Sequence, residues 1–369
     1  MRKLFAVLTL VAGAYSRGQA QQAWHTEFGI QGGYTRIKPA GTGANDHIDL
    51  FGVPGFDLPG VLPSNAALFA ILPWKDKIAI ELGASASQGN AIAILGDATF
   101  FTFDARANYA ITPKFYGALG GALNWVEAGG ESETQLGVQA GVGYRFPFVA
   151  GLRGRVEANA LFVAKADLLS ATNSYSVMFG VSKELGGRAR GAAPARRATG
   201  RAWQPMFGVQ GGYYRTHAVG GSADLTGISL PGAGGGLSIL GTPIGAPPTL
   251  FAVLPIGRKI AIEPGVDLRR FQSGGTTAFG GNVAARFDYA VTGGWYGAVG
   301  GNLLYVKATG ADAETITGAN LGWGYRFPLT SGLGGRFELN YTMMGKNETL
   351  GVPPLNTMGL QFAVTMPLR

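Results

Sequence analysis

Charged residues recur at matching positions in the two halves of this 369-residue chain, and their types favour ion-pair chemistry. The recurring set is Glu81, Arg106, Arg155 and Glu157 in the first half, and Glu263, Arg286, Arg336 and Glu338 in the second. Charges that leave water need partners of opposite sign, and each half supplies two acids and two guanidinium groups. Each set therefore predicts a neutral four-membered ion-pair cluster, unless its members line a wide, wet pore and never meet.

Catalytic chemistry has little support in the rest of the chain. Histidine occurs only as His25, His47 and His217, and none of these is repeated between the halves. A nucleophile or general base needs a partner that activates or orients it, and the sequence offers no such combination. Cysteine is absent, which excludes disulfides and thiolate metal sites. We therefore expect a protein that is not an enzyme and that uses no cofactor or metal ion.

The composition indicates a β-protein with an apolar exterior, because charged residues form only 14% of the chain and aromatic residues form 11%. The formal charge of +8 comes from basic residues in two short stretches. These residues are Arg2, Lys3, Arg17, Arg188, Arg190, Arg196, Arg197 and Arg201. Removing these eight from the 30 Lys and Arg leaves 22 basic and 22 acidic residues. No basic face for nucleic acid is therefore expected.

Residues 1–20 have the order of a secretory signal peptide. Arg2 and Lys3 precede an apolar run, residues 4–14, and cleavage is expected after Ala20. No later run reaches the ~18 apolar residues of a membrane-spanning helix. An exported apolar chain of this kind is typical of a transmembrane β-barrel, so we expect it in the bacterial outer membrane.

Most of the chain beyond this leader is an internal repeat. FGIQGGYTR from Phe28 returns as FGVQGGYYR from Phe207, and LFAILPWKDKIAIE from Leu68 returns as LFAVLPIGRKIAIE from Leu250. Apolar and polar residues alternate within each unit, as they do over residues 101–111. Successive side chains of a strand point to opposite faces, so this alternation predicts strands with one face toward lipid and one toward a lumen.

Sixteen such segments are predicted, eight in each unit. They are 27–37, 66–74, 78–88, 99–111, 115–126, 135–146, 152–163 and 174–184, then 206–216, 249–256, 260–271, 278–291, 295–306, 316–327, 333–344 and 357–368. The offset between the repeats is constant across every second connection and changes at the others. This asymmetry predicts short periplasmic turns and longer extracellular loops.

Aromatic residues mark the ends of one face on the fifth segment of each unit. They are Phe115 and Trp125 in the first unit, and Trp295 and Tyr305 in the second. Ten residues at ~3.3 Å each, tilted by ~40°, span about 25 Å, which is the height of the apolar band of outer-membrane barrels. We therefore predict aromatic girdles here, with an ordinary half-buried strand as the alternative.

In strand number, turn pattern and inward charges, each unit resembles the small outer-membrane barrels of the OmpA/OmpX type. The resemblance covers nearly all of residues 24–369, taken as two copies. It implies an all-β, antiparallel transmembrane β-barrel fold, contact with outer-membrane lipid and insertion by the barrel-assembly machinery. It also implies an internal ion-pair plug, which the two charged sets would form.

The segment between the units bears on the number of barrels. Residues 186–202 read GGRARGAAPARRATGRA, a basic linker much longer than the predicted periplasmic turns. Extended, this segment reaches up to roughly 55 Å, enough to connect two barrels side by side. We therefore predict two tandem eight-stranded barrels, residues 24–185 and 203–369, joined by a periplasmic linker. One 16-stranded barrel is the alternative, although a tight hairpin between the units would suit it better.

Two long connections, residues 38–65 and 217–248, contain apolar stretches. Loops often carry the function of barrel proteins, so these two are candidates for contact with a surface partner, and packing against the barrel rim is the alternative. We expect a non-enzymatic protein with plugged narrow lumens, long extracellular loops and a structural or surface-interaction role. A porin-like channel, or a channel for small or apolar solutes formed by one wide barrel, is the other reading.

Overall fold

The structure is a computed structural model. The residues that it describes are 24–39, 47–52, 68–92, 96–128, 130–148, 152–166, 171–185, 203–220, 224–229, 238–239, 242–243, 248–273, 276–330 and 333–368. The predicted signal peptide and the predicted linker, residues 186–202, lie outside the described residues, as do parts of the two long connections. No helix in the described part of the chain is long and apolar enough to cross a membrane.

The first repeat contains nine described strands, and eight of them form a closed barrel. The strands are β1 (Glu27–Pro39), β2 (Ile48–Gly52), β3 (Leu68–Lys75), β4 (Ile78–Ile92), β5 (Gly96–Ala110), β6 (Phe115–Ala128), β7 (Glu131–Pro147), β8 (Arg153–Val163) and β9 (Thr172–Glu184). From β3 to β9 each strand pairs with the next, all antiparallel, and β3 pairs with β1. Thirteen residue pairs between β1 and β9 close the wall.

The second repeat builds a second barrel in the same way. Its described strands are β10 (Met206–Ala218), β11 (Asp224–Ser229), β12 (Ser238–Ile239), β13 (Thr242–Pro243), β14 (Leu250–Pro255), β15 (Ile260–Ser273), β16 (Thr276–Thr292), β17 (Trp295–Ala308), β18 (Glu314–Thr330), β19 (Leu333–Met344) and β20 (Leu355–Pro367). β10 and β14 to β20 form the barrel, which thirteen pairs between β10 and β20 close. β12 and β13 form a small sheet of their own.

The prediction of two eight-stranded antiparallel barrels is confirmed, and the alternative of one 16-stranded barrel is wrong for these walls. Each repeat closes on its own first and last strands, so the first and second barrels have separate lumens at the level of β3 and β14. All sixteen predicted segments are strands, with ends that lie within four residues of the observed ones.

The apolar face of the strands lies on the outside of both barrels. Leu119 on β6 and Val299 at the same place on β17 are 63% and 54% exposed, whereas their neighbours Ala118 and Ala298 are buried. A strand of a water-soluble protein places its apolar face in a core, and these strands do the opposite. The exterior therefore has the character of a surface that faces lipid.

The end of each barrel that carries the β3–β4 and β14–β15 turns is called here the inner end, and the opposite end the outer end. Several outer connections are shorter than predicted, since residues 93–95 join β4 to β5, 129–130 join β6 to β7, and 274–275 join β15 to β16. The prediction of long extracellular loops is wrong at these places. Pairing continues into polar sequence such as SASQGN after Ala84, whose composition is that of a loop.

Candidate functional site

Arg106 lies between two carboxylates at the centre of the first barrel. Its Nη1 and Nη2 donate to the two carboxylate oxygens of Glu157 on β8, at 2.5 and 2.8 Å. The same Nη2 donates to Oε1 of Glu81 on β4, at 2.8 Å. Two parallel hydrogen bonds between a guanidinium and a carboxylate are a strong and directional contact. Arg106, which projects from β5, thereby connects two distant parts of the wall.

Arg155 completes this group of four, the first cluster, from the opposite side of the lumen. Its Nη1 and Nη2 donate to Oε2 and Oε1 of Glu81, at 2.7 and 2.8 Å. Nη2 also donates to Oε1 of Gln31 at 2.5 Å, and the guanidinium carbon lies 3.6 Å from the ring centroid of Phe69. Asn108 adds a third donor to Glu81, at 2.7 Å. The charges of the first cluster are thus matched, and each carboxylate is bound by several donors.

The second barrel repeats this arrangement, and its four residues form the second cluster. Nη1 and Nη2 of Arg286 donate to Glu338 at 2.5 and 2.6 Å, and Nε of Arg286 lies 2.8 Å from Oε1 of Glu263. Arg336 donates to Glu263 and, at 2.5 Å, to Oε1 of Gln210. The structure therefore brings the eight charged residues taken from the repeat together in two groups of four, each with no net charge.

Each cluster also includes a tyrosine that was not predicted from the sequence. The hydroxyl of Tyr116 donates to Glu157, and that of Tyr296 donates to Glu338 at 2.6 Å. Both rings lie across the lumen, where Gly143 makes room for the first, because a Cβ at that glycine would overlap the Tyr116 ring. The same Tyr and inward Gly recur in the second unit as Tyr296 and Gly324, and this repetition is a signal that could have revealed these residues.

Trp24 and Trp203 pack beneath the clusters at the inner ends of the barrels. Both are almost fully buried, and each contacts the cluster tyrosine edge to face, with ring centroids 5.4 and 5.5 Å apart. The indole nitrogens donate to the backbone carbonyls of Lys77 and Lys259 in the inner turns, at 3.1 and 2.9 Å. The two tryptophans are separated by 179 residues, the offset of β1 and β10, so the repeat itself carried this missed signal.

A further ion pair is present at the inner end of the first barrel. Glu27 is buried, pairs with Arg145 on β7, and accepts a hydrogen bond from Oγ of Ser182 at 2.6 Å. The second barrel has Met206 in the place of Glu27, so this pair is not repeated. The two interiors are therefore similar in design and differ in the buried acids that accompany the clusters.

Asp288 is a buried acid of the second barrel outside the cluster, and it occupies the place of Asn108. It is fully buried, and neither of its carboxylate oxygens has a hydrogen-bond partner. Nε of Arg286 lies 3.4 Å from Oδ1, which is close enough for attraction and not for a good hydrogen bond. A buried carboxylate without donors carries a desolvation cost that its neighbours offset only in part.

Replacing this aspartate is expected to stabilise the second barrel. Asp288→Asn should raise the free energy of unfolding by about 1–3 kcal/mol at neutral pH, since it removes an under-satisfied carboxyl group and supplies an amide donor for Glu263. The matched change in the first barrel, Asn108→Asp, should lower the free energy of unfolding, because it removes a donor to Glu81. Urea unfolding in lipid vesicles measures both, and an unchanged midpoint for Asp288→Asn would contradict the expectation.

Apolar side chains pack together inside the lumens on the outer side of the clusters. In the second barrel they are Ala218, Leu304, Val306, Ile316, Met344, Val352 and Leu355. In the first barrel they are Ala122, Leu161 and Val163. Val352 comes from the β19–β20 connection, which therefore folds over the mouth of the second barrel. Each lumen is thus occupied by charged and aromatic groups at one level and by apolar groups at another.

The four residues predicted as aromatic girdles lie on the outward face of β6 and β17. Phe115 and Trp295 are exposed at the inner end, and Trp125 and Tyr305 are half-buried at the outer end. Other rings continue the inner row: Tyr144, Phe146, Phe148 and Phe179 in the first barrel, and Trp323, Tyr325, Phe327, Phe337 and Phe362 in the second. Such a row suits the boundary between lipid and water.

No protein-family model matches the chain, and no curated protein matches it. Similar solved structures include Neisserial surface protein A, at 14% identity over 44% of this chain and 96% of that chain, with a TM-score of 0.28. Ail, the attachment invasion locus protein of Yersinia pestis, is 17% identical over 43% of this chain and 99% of its own, with a TM-score of 0.25. The CymD monoaromatic hydrocarbon channel is 9% identical over 93% and 88%, with a TM-score of 0.30. Similarities this distant assign neither a family nor a function.

Proposed function

We propose that the chain is a non-enzymatic protein of the bacterial outer membrane, in which two barrels with closed lumens anchor a structured outer surface. The observation that carries this proposal is the burial of the two clusters. Their eight charged side chains extend across both lumens, and none has more than 5% of its surface exposed. An eight-stranded barrel has an interior just wide enough for side chains to fill, and here the side chains that fill it bind one another.

The exterior supports a location in the membrane. Apolar residues such as Leu119, Val299 and Leu360 are exposed along the strands, and aromatic rings stand at the inner end. In water, this much contiguous apolar surface would drive aggregation, whereas lipid chains solvate it. Bacterial barrels with this exterior reside in the outer membrane, and we assign the protein to it on that ground.

The contacts of the clusters support a closed state. A solute that moved along the first barrel would have to part Arg106 from Glu157 and Arg155 from Glu81, each a bidentate pair away from water. Parting such a pair leaves two uncompensated buried charges, which costs several kcal/mol. The carboxylates are also fully engaged as acceptors, so they are poorly placed to act as general bases. Both points favour an anchoring role over transport or catalysis.

The partners of this proposed anchor remain predictions. Outer-membrane lipid would contact the exposed apolar face, and the barrel-assembly machinery would insert the chain. A surface partner would bind through the long connections, residues 38–65 and 217–248, whose described strands β2 and β11 lie at the outer end.

Conductance across planar lipid bilayers tests the closed lumens. The purified protein is expected to give no steady large conductance, with brief and small openings at most, because the clusters block both lumens. A general diffusion porin reconstituted in the same bilayers is the positive control, and swelling of liposomes in small sugars gives a second readout. Steady current or sugar-dependent swelling from the unaltered protein would contradict the proposal and favour the channel alternative.

A further inference from the structure

The wall of each barrel has a gap at its outer end. β3 pairs with β1 only over Glu27–Ile30, and with β4 only as far as Ala84, whereas β1 and β4 continue several residues further. β14 is equally short between β10 and β15. Beyond the outer ends of β3 and β14, the facing edges of β1 and β4 have no partner among the eight described wall strands of their barrel, and the same holds for β10 and β15.

Two strands from the long connections, β2 and β11, pair with these edges. Each of them pairs with one strand of the first barrel and one strand of the second. β2 pairs with β1 at five positions, from Gly33 to Ile37, and with β15 of the other barrel at four, from Arg270 to Ser273. β11 pairs with β10 at six positions and with β4 of the other barrel at three, Ser87 to Gly89. Each repeat therefore contributes one strand that pairs with a strand of the other barrel.

The strand directions make this exchange a closed ring. β1, β4, β10 and β15 run toward the outer end, β2 and β11 run back, and every pairing is antiparallel. The order around the outer rim is β1, β2, β15, β16, β17, β18, β19, β20, β10, β11, β4, β5, β6, β7, β8 and β9, which returns to β1. Two eight-stranded barrels at the inner end thus share a rim of sixteen strands at the outer end.

We propose that reciprocal strand exchange at the outer rim is the interaction that locks the two barrels into one unit, with each repeat serving as the specific β-strand partner of the other. Unpaired strand edges bind other strands through backbone hydrogen bonds, which makes exposed edges a hazard unless they are covered. The exchange covers all four edges. It also turns two outer surfaces into one continuous rim with a fixed geometry.

An ion pair between β1 and β2 holds β2 in place. Nε and Nη2 of Arg36 on β1 donate to the two carboxylate oxygens of Asp49, at 2.7 and 2.9 Å. His47 adds a contact, with Nε2 3.6 Å from Oδ2 of Asp49. Asp49 lies in the outer connection, beyond the spanning strands, and the hydrogen bond from Arg36 lowers the pKa of its carboxyl. β2 is therefore fixed on β1 and presents its other edge to β15.

The internal repeat defines the competing arrangement. Arg270 on β15 corresponds to Gln88 on β4, because the two hairpins are offset by 182 residues. β2 could in principle pair with β4 of its own barrel, and β11 with β15, which would close each rim separately. The exchanged and the self-closed arrangements use the same strands and the same edges, as in domain swapping. They differ only in which barrel supplies the partner.

Engineered disulfides distinguish the two arrangements in the full chain, which contains no cysteine of its own. Directly opposed positions of an antiparallel pair place their Cβ atoms within reach of a disulfide. Phe51→Cys with Arg270→Cys, and Ile228→Cys with Gln88→Cys, test the exchanged pairs. Phe51→Cys with Gln88→Cys is the matched control, because it combines two of the same cysteines in the self-closed arrangement. A protease site inserted within residues 186–202 allows the repeats to be separated after folding and oxidation.

The expected result is that both exchanged variants, once cleaved, remain a single band of full-length size on a denaturing non-reducing gel and fall to two half-size bands after reduction. The control variant should give two half-size bands under both conditions. Failure of both exchanged disulfides to form, or a disulfide in the control that protects its cysteines from labelling, would overturn the proposal. A band of twice full-length size before cleavage would place the pairing between molecules and would overturn it as well.

Discussion

Arg106→Met is expected to lower the free energy of unfolding by about 3–5 kcal/mol and to let brief current steps pass through the first barrel. The substitution removes the three hydrogen bonds that Arg106 donates to carboxylate oxygens and leaves the Glu157 carboxylate buried with no guanidinium bound to it. Urea unfolding in lipid vesicles, followed by tryptophan fluorescence, measures the loss of stability. Planar-bilayer recordings of the same variant measure the current.

A double variant separates the loss of a pair from the burial of a lone charge. Arg106→Met with Glu157→Met leaves Arg155 and Glu81, a bidentate pair with no net charge. Replacing both partners of a buried pair costs much less than removing one, so the double variant should be clearly more stable than Arg106→Met alone. Equal stability of the two, or a neutral effect of Arg106→Met, would contradict the ion-pair plug.

Leu119→Arg is expected to lower the free energy of unfolding in lipid vesicles by about 2–4 kcal/mol, because arginine on the lipid face is most costly near the middle of the bilayer. Leu119 is well exposed and lies on β6 between the aromatic ends Phe115 and Trp125. On a water-soluble barrel, the same substitution would exchange an exposed apolar group for a charged one with little effect. Urea titration in vesicles of phospholipid measures the difference.

Glu127→Arg is the matched control for this prediction. Glu127 lies on the same face of the same strand, eight residues nearer the outer end, and is exposed. The cost of arginine falls to roughly 0–1 kcal/mol near the membrane interface, so this variant should unfold almost as the unaltered protein does. Equal costs at the two positions would mean that the exposed apolar face does not lie in lipid.

The strands and their faces could be predicted from the sequence because both follow from a local pattern. Alternation with a period of two identifies a strand and sorts its side chains between two faces whatever the strand pairs with. The repeat then aligned the inward charges, so that Glu81, Arg106 and Glu157 could be grouped before any distance was known. Pairing order followed as well, since consecutive segments with short turns form antiparallel neighbours.

Other parts of the interior could not be predicted in this way. Trp24 and Tyr116 are of the residue types that form aromatic girdles, and only the closed barrel shows that their rings lie inside the lumen. Asp288 reads as one more inward polar residue, and its lack of hydrogen-bond donors depends on the atoms that surround it. The outer extensions of β4 and β15 have a composition typical of loops. They are strands nevertheless, because pairing with the neighbouring strands satisfies the hydrogen-bonding groups of their backbone.

The sequence by itself determined sixteen outward-apolar strands in two repeats, with a neutral set of charges in each, because periodicity and repetition are properties of the chain. It favoured two barrels and left a single 16-stranded barrel open. Only the tertiary structure decided how the two copies meet. β4 and β15 are equivalent strands of the two repeats, so the edges with which β2 can pair lie at corresponding positions. Local sequence cannot choose between them, so the choice falls to the packing of one barrel beside the other.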